Sequence, residues 1–223
     1  MRRRIVAEGA GTALLLYVIV GSGIAAARAS DDAALQLLAH AIVVGVGLGV
    51  LIVLFQTVSG SHFNPSVTIG FWRSGSMAPR EAAGFIVAQL AGAVSGVIAA
   101  NLSFGLTVVS LSSTSRDGAG RIAAEGIATF VLVLVILILV RTDRSAAIPV
   151  AIGAWATAIV FSTSSTGFAN PAVTSARMLT DTYAGIAPAS VVGFLAAQLL
   201  AGLAAAPVAR FFVPNPAPIQ AST

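Results

Sequence analysis

Asn64-Pro65-Ser66-Val67-Thr68 returns 106 positions later as Asn170-Pro171-Ala172-Val173-Thr174. Each copy opens an apolar piece, Pro65–Ser74 and Pro171–Leu179, that is too short for the roughly 20 residues a membrane helix requires. Asn is a strong N-cap and Pro is favoured at the first helical position, so each piece reads as a half-helix. A polar, helix-starting motif repeated after apolar spans predicts two broken helices that meet at mid-bilayer and line a pathway between them.

The repetition extends outward from these motifs. Arg4-Ile5-Val6-Ala7-Glu8-Gly9 followed by Thr12 pairs with Arg121-Ile122-Ala123-Ala124-Glu125-Gly126 followed by Thr129. Gly84-Phe85-Ile86-Val87-Ala88-Gln89-Leu90 pairs with Gly193-Phe194-Leu195-Ala196-Ala197-Gln198-Leu199. Both halves keep the order glutamate, Asn-Pro, glutamine. Around them lie six long apolar stretches, about Ile5–Ala27, Ala33–Val58, Ala82–Phe104, Ile122–Val140, Ala146–Ser162 and Ile186–Val208. Three spans per half is an odd number, so the second copy is inserted upside down and the half-helices enter from opposite faces. The predicted fold is an all-α membrane protein with six transmembrane helices, two re-entrant half-helices and an inverted repeat. It forms one channel domain over 1–209, with repeats about 1–105 and 120–209. The Pro-rich residues 210–223 are expected to be a flexible tail.

Composition agrees with this plan. The chain is 57% hydrophobic and only 9% charged, too little charge for the shell of a soluble domain. All twelve basic residues are Arg and they are scattered between the spans, whereas a nucleic-acid surface would cluster them. The absence of Cys excludes disulfides, thiolate metal sites and cysteine nucleophiles. No Ser/His, paired-Asp or HExxH arrangement occurs within the spans, so neither an enzyme nor a cofactor or metal site is expected. Met1-Arg2-Arg3-Arg4 before an apolar run has the look of a signal peptide, with Ala27-Arg28-Ala29 as cleavage site. The length of that run and its repeated Glu8 favour a retained span. Arg2, Arg3, Arg4, Arg73, Arg80, Arg141, Arg144 and Arg210 fall on one side; Arg28, Arg116, Arg121 and Arg177 fall on the other. Both termini are therefore expected in the cytoplasm, with the chain in the inner cell membrane.

Six spans, two Asn-Pro half-helices, a glutamate early in spans one and four, and Ser59-Gly60-Ser61-His62-Phe63-Asn64-Pro65 resemble the aquaporin and aquaglyceroporin (major intrinsic protein) channels. The resemblance runs from Glu8 to about Gly202. It implies a passive channel for small uncharged solutes, working as a homotetramer in membrane lipid with one pore per copy. Where helix N-termini meet, unpaired donors and positive dipole ends turn cations away and accept neutral solutes with oxygen lone pairs. Asn64 and Asn170 are expected to donate to the passing solute, within motifs completed by Pro65, Ser66, Pro171 and Ala172. The resemblance further implies that Glu8 and Glu125, expensive inside a membrane unless partnered, brace the loops before each half-helix. A proton-carrying pair is the alternative. Gln89 and Gln198 are read as helix–helix hydrogen-bonding groups. His62 is expected either to line the pore or to bond the loop backbone, and His40 to sit at the membrane interface with no special role.

One departure stands out. The family places an Arg directly after the second Asn-Pro-Ala, and here that residue is Val173. The other filter positions carry over as Val44, Val160 and Gly167, or Phe168 because the loop is short and its register open. Such a filter is apolar and wide. Arg177, four residues past Val173, either replaces the lost charge or, as favoured, snorkels to the headgroups. Phe168-Ala169-Asn170-Pro171-Ala172-Val173-Thr174-Ser175-Ala176-Arg177 is similar to a bacterial subgroup associated with arsenic resistance. The expected cargo is thus water and glycerol-like solutes, with metalloid acids such as arsenite as further candidates. A water-selective channel is the alternative, and an ion-coupled secondary transporter is a more distant one.

Overall fold

Six helices long and apolar enough to cross a membrane surround two short ones, in a computed structural model that describes residues 1–215. In chain order they are α1 (Arg2–Ala29), α2 (Ala33–Ser59), the half-helix α3 (Pro65–Arg73), α4 (Pro79–Ser103), α5 (Ala119–Arg141), α6 (Ile148–Ser162), the half-helix α7 (Pro171–Ala176) and α8 (Pro188–Phe212). Single 3-10 turns, Ser145–Ala147 and Arg177–Leu179, precede α6 and follow α7. Among the described residues there are no strands. The six spans and two half-helices expected from hydropathy are all present.

Helix ends differ from the hydropathy boundaries for local reasons. α4 starts at Pro79, before the apolar run, because Pro at the first position and Glu81 in the first turn suit a helix N-terminus. Asp32 caps α2 by accepting from the Leu35 amide at 2.9 Å. α8 continues through Arg210 to Phe212, so the expected tail begins later than residue 210; residues 216–223 lie outside the described residues.

Packing follows the repeat. α1 lies against α4 and α5 against α8, the matching pair in each half, while α2 and α6 join the halves. The half-helices cross over: α3 packs mainly on α8, and α7 on α4. Lipid gives helices no hydrophobic reason to associate, so contact depends on close backbone approach at small residues. A Cβ on Gly92 would fall on the Gly9 carbonyl oxygen, and one on Gly45 would strike Thr157 and the Gly153 carbonyl. The half-helices are seated similarly. Ser66 Oγ donates to the Gln198 carbonyl at 2.9 Å, which gives the serine in the first motif a partner that Ala172 does not need.

Gly92→Leu is expected to push α1 from α4 and destabilise the fold by about 1–3 kcal/mol or more. Val87→Leu, on the exposed side of the same helix (67% accessible), is expected to change nothing. Thermal unfolding in detergent micelles compares the two, and equal unfolding temperatures would refute this account of the α1–α4 contact.

Candidate functional site

Both Asn-Pro motifs follow stretches of non-helical backbone that carry unusual torsions. Phe63 and Ala169, each immediately before its Asn, both have φ of +47°. Such conformations cost on the order of 1–3 kcal/mol and persist only when their surroundings impose them. Here a carboxylate does so. Glu8 Oε1 accepts from the His62 amide (2.9 Å) and Ser59 Oγ (2.6 Å), and its Oε2 from the Phe63 amide (2.7 Å) and Gln89 Nε2 (2.8 Å). Glu125 repeats the pattern, with Oε1 accepting from Phe168 N (2.9 Å) and Oε2 from Ala169 N (2.8 Å) and Gln198 Nε2 (2.6 Å). Both glutamates are fully buried. The glutamines thus join a spanning helix to a loop-bracing carboxylate. They also engage the last residue of each motif, at 3.0 Å from Gln89 Nε2 to Thr68 Oγ1 and 2.8 Å from Gln198 Nε2 to Thr174 Oγ1. Those threonines were visible as part of the repeat but had no role assigned from sequence.

The asparagines tie the two loops together. Each caps its half-helix: Asn64 Oδ1 accepts from Ser66 N at 2.8 Å, and Asn170 Oδ1 from Ala172 N and Val173 N at 3.0 and 3.3 Å. Each amide also reaches across, Asn64 Nδ2 to the Ala169 carbonyl and Asn170 Nδ2 to the Phe63 carbonyl, both at 2.8 Å. An amide nitrogen carries two N–H groups. One is committed across the junction, and the other has no protein acceptor among the described residues.

Both asparagines line a cavity of about 70 Å³, several times the roughly 10–15 Å³ that a single water needs. Gly60, Ser61 and His62 from the loop before α3 and Thr166, Gly167 and Phe168 from the loop before α7 line it as well. Val44, Val160, Gly167, Phe168 and Val173 all face this cavity. Gly167 has φ +54°, and a Cβ there would run into Ile159, so the loop needs glycine at that point. His62 does both things weighed for it. Its amide bonds Glu8, while its ring lines the cavity, bonds Thr68 Oγ1 through Nδ1 at 3.1 Å and stacks on Phe71 at 4.5 Å. Phe168 is its counterpart in the second half. The His62 ring meets Phe85 edge-on at 5.3 Å, and the Phe168 ring meets Phe194 edge-on at 5.4 Å.

Two expectations are corrected. Arg177 does not snorkel: it is only 4% accessible and lines the cavity. Its guanidinium lies 3.5 Å from the centre of the Phe168 ring and its Nε donates to the Ala184 carbonyl. The aromatic face and the carbonyl, both brought there by loops, hold it inside. His40 is likewise not an idle interfacial residue. It is buried, lines the same cavity, bonds Ser22 Oγ through Nδ1 at 2.9 Å and meets Tyr183 edge-on at 5.6 Å.

Sequence reasoning missed Arg116, which ties the long α4–α5 connection over this end. It donates to the Gly185 and Tyr183 carbonyls (2.8 and 3.3 Å) and to Thr166 Oγ1 (3.2 Å), and its guanidinium lies 5.0 Å from the Phe168 ring. The neighbouring Asp117 accepts from the Ser190 and Ser115 hydroxyls, which hold its carboxyl below the usual carboxylate range. No sequence pattern announces this anchoring, because its acceptors are mostly backbone carbonyls.

The family model for Major intrinsic protein matches residues 1–169. The chain belongs to that family. Aquaglyceroporin AqpS of Rhizobium meliloti (strain 1021) is 41% identical over 223 residues, all of this chain and 95% of that protein. The glycerol uptake facilitator protein of Escherichia coli (strain K12) is 36% identical over 106 residues, 48% of this chain and 36% of the other. The X-ray structure of the aquaglyceroporin from Plasmodium falciparum shares the fold, with a TM-score of 0.77 over 96% of this chain and 97% of that one, at 17% identity. As a major intrinsic protein the chain is a multi-pass membrane channel for small solutes and not an enzyme.

A glutamine replacing Glu8 or Glu125 keeps the shape but substitutes an NH2 donor for one acceptor oxygen. Each loop donor left unpaired costs about 1–3 kcal/mol. Glu8→Gln and Glu125→Gln are therefore expected to lower the unfolding temperature in detergent and to reduce solute flux in liposomes together. Wild-type unfolding in either variant would show that the carboxylate does not brace its loop.

Proposed function

We propose that this major intrinsic protein is a passive conduit for small uncharged solutes, water and glycerol-like polyols among them, with metalloid acids such as arsenite as further cargo. The observation that supports this most strongly is the shared cavity, where two half-helix N-termini and two partly free Asn amides meet between apolar walls. The N-terminal ends carry positive potential. A cation entering there exchanges its water for donors of the wrong sign, while a hydroxylated neutral solute accepts from the Asn64 and Asn170 amides. Val44, Val160, Gly167 and Val173 form an apolar filter beside the ring of Phe168, wide enough to admit solutes larger than water. Pro65, Ser66, Pro171 and Ala172 hold the two tips in place.

Among the described residues, no free carboxylate in the cavity favours the transporter reading. Glu8 and Glu125 do not line the cavity, and each of their oxygens already accepts from protein donors. The water-selective reading asks Phe168 to close the filter, yet its ring packs against Phe194 and Arg177. Arginine placement supports an inner-membrane location with both termini cytoplasmic, Arg2, Arg3, Arg4, Arg73, Arg80, Arg141, Arg144 and Arg210 lying at the helix ends that face that side. Family membership supports four copies per assembly, each with its own conduit.

Stopped-flow light scattering of proteoliposomes tests the proposal. Water and glycerol fluxes are expected to rise linearly with concentration and to need no proton or sodium gradient; saturation or gradient dependence would overturn it. Val173→Arg is expected to slow glycerol by roughly tenfold, about 1.4 kcal/mol of added barrier, while sparing water. Unchanged selectivity would remove Val173 from the filter.

A further inference from the structure

Arg177 and His40 line the same cavity as Val173 and Val44, and each lies four residues along its chain from the valine it accompanies. Four residues are about one helical turn, near 6 Å of rise. Both displacements run the same way. His40 meets the ring of Tyr183, and Arg177 bonds the carbonyl of the adjacent Ala184, so both residues lie toward that turn.

Both side chains have hydrogen-bonding capacity left over. Ser22 Oγ lies 3.1 Å from the Ile19 carbonyl and 2.9 Å from His40 Nδ1, so Nδ1 is occupied by the serine hydroxyl. The other ring nitrogen, Nε2, has no partner among the described residues. Arg177 spends Nε on Ala184 and its flat face on Phe168, while its terminal nitrogens hydrogen-bond to nothing among the described residues. No carboxylate pairs with it among those residues either. A buried guanidinium fixed at its stem and free at its tip, lining the same cavity as an imidazole with one free nitrogen, is arranged to meet what enters the conduit.

We propose that Arg177 and His40 form a polar collar one helical turn beyond the valine ring, and that this collar is the conduit's discriminating step for solute size and charge. It takes neutral hydroxylated solutes, whose oxygens accept from Arg177 and whose hydroxyls, able both to donate and to accept, bond His40 Nε2. Phe168 is its fixed apolar wall. The inference rests on the conduit reading above and adds the residues that select within it.

The full chain reconstituted in liposomes tests this, with water, glycerol and the larger polyol erythritol as probes. Arg177→Met is expected to raise the erythritol-to-glycerol permeability ratio several-fold and to admit a sodium leak, with Arg177→Lys retaining the cation barrier. Because the chain has no cysteine, His40→Cys gives a second measurement without background. Glycerol flux through that variant is expected to fall sharply after treatment with a methanethiosulfonate reagent, relative to the untreated variant, while the unsubstituted chain does not respond. Unchanged solute ratios in a conducting Arg177→Met, or thiol-insensitive flux in His40→Cys, would overturn the collar and leave the conduit reading intact. If Arg177→Met fails to fold, the His40→Cys result decides. A wild-type chain passing none of the three probes would remove the conduit and the collar together.

Discussion

Backbone that leaves the helix inside a bilayer must find its hydrogen-bond partners within the protein, because hydrocarbon supplies none. Glu8 and Glu125 meet that constraint for two loops at once. Each takes the two consecutive amides before an Asn, including the amide of the residue held at φ +47°. A carboxylate suits this task because it is acceptor-only and has lone pairs for several donors. Its desolvation is offset by those donors, and the loop's strain is offset by the same bonds. This coupling explains why glutamate, Asn-Pro and glutamine recur in a fixed order: the glutamine closes the ring from the third spanning helix of each half.

The constraint also produces function. Once the carboxylates absorb the outward-facing amides, the asparagines are left to cap α3 and α7 and to grip the opposite loop. The junction then needs no further protein partner, and its remaining N–H groups face the cavity. The same construction yields different ends, however. At matching points the first half has His62, bonded to Thr68, and the second has Phe168, stacked under Arg177. α3 continues helically to Arg73, whereas α7 ends at Ala176 and tightens into a 3-10 turn that begins with Arg177. An inverted repeat therefore sets an imidazole in its first half where the second sets a phenyl ring under a guanidinium.

Features that repeat or that violate a cost rule were legible in the sequence. The spans follow from hydropathy and the half-helices from Asn-Pro, while the carboxylates stand where none is tolerated alone and the family resemblance supplied their role as loop braces. Arg177 and His40 were misread because the rules for them are local. An arginine near a helix end in a membrane ordinarily snorkels, and a histidine early in a span ordinarily sits at the interface. Here the α4–α5 connection, pinned by Arg116, and the turn at Tyr183–Ala184 build protein over that end. Both side chains are therefore deeper than their sequence positions imply. Nothing in a one-dimensional reading places the Ala184 carbonyl seven residues downstream against Arg177. Gly167 and Phe168 both line the cavity, so the two readings of the short loop do not exclude each other.

Moving a filter's charge by one turn changes more than its address. A guanidinium at position 173 would act beside the Asn pair, so that a solute passed directly from one set of donors to the next. In the proposed collar the charge sits at Arg177 while Val44 and Val173 intervene, and a solute would shed its bonds to the collar before it reached Asn64 and Asn170. Each hydroxyl stripped of its partners over that apolar stretch adds to the barrier, whereas apolar surface crosses it easily. On that proposal, selectivity rests on the order in which polar and apolar rings are met as well as on the narrowest radius. That order follows from a single substitution pattern, valine where an arginine is usual and arginine one turn later.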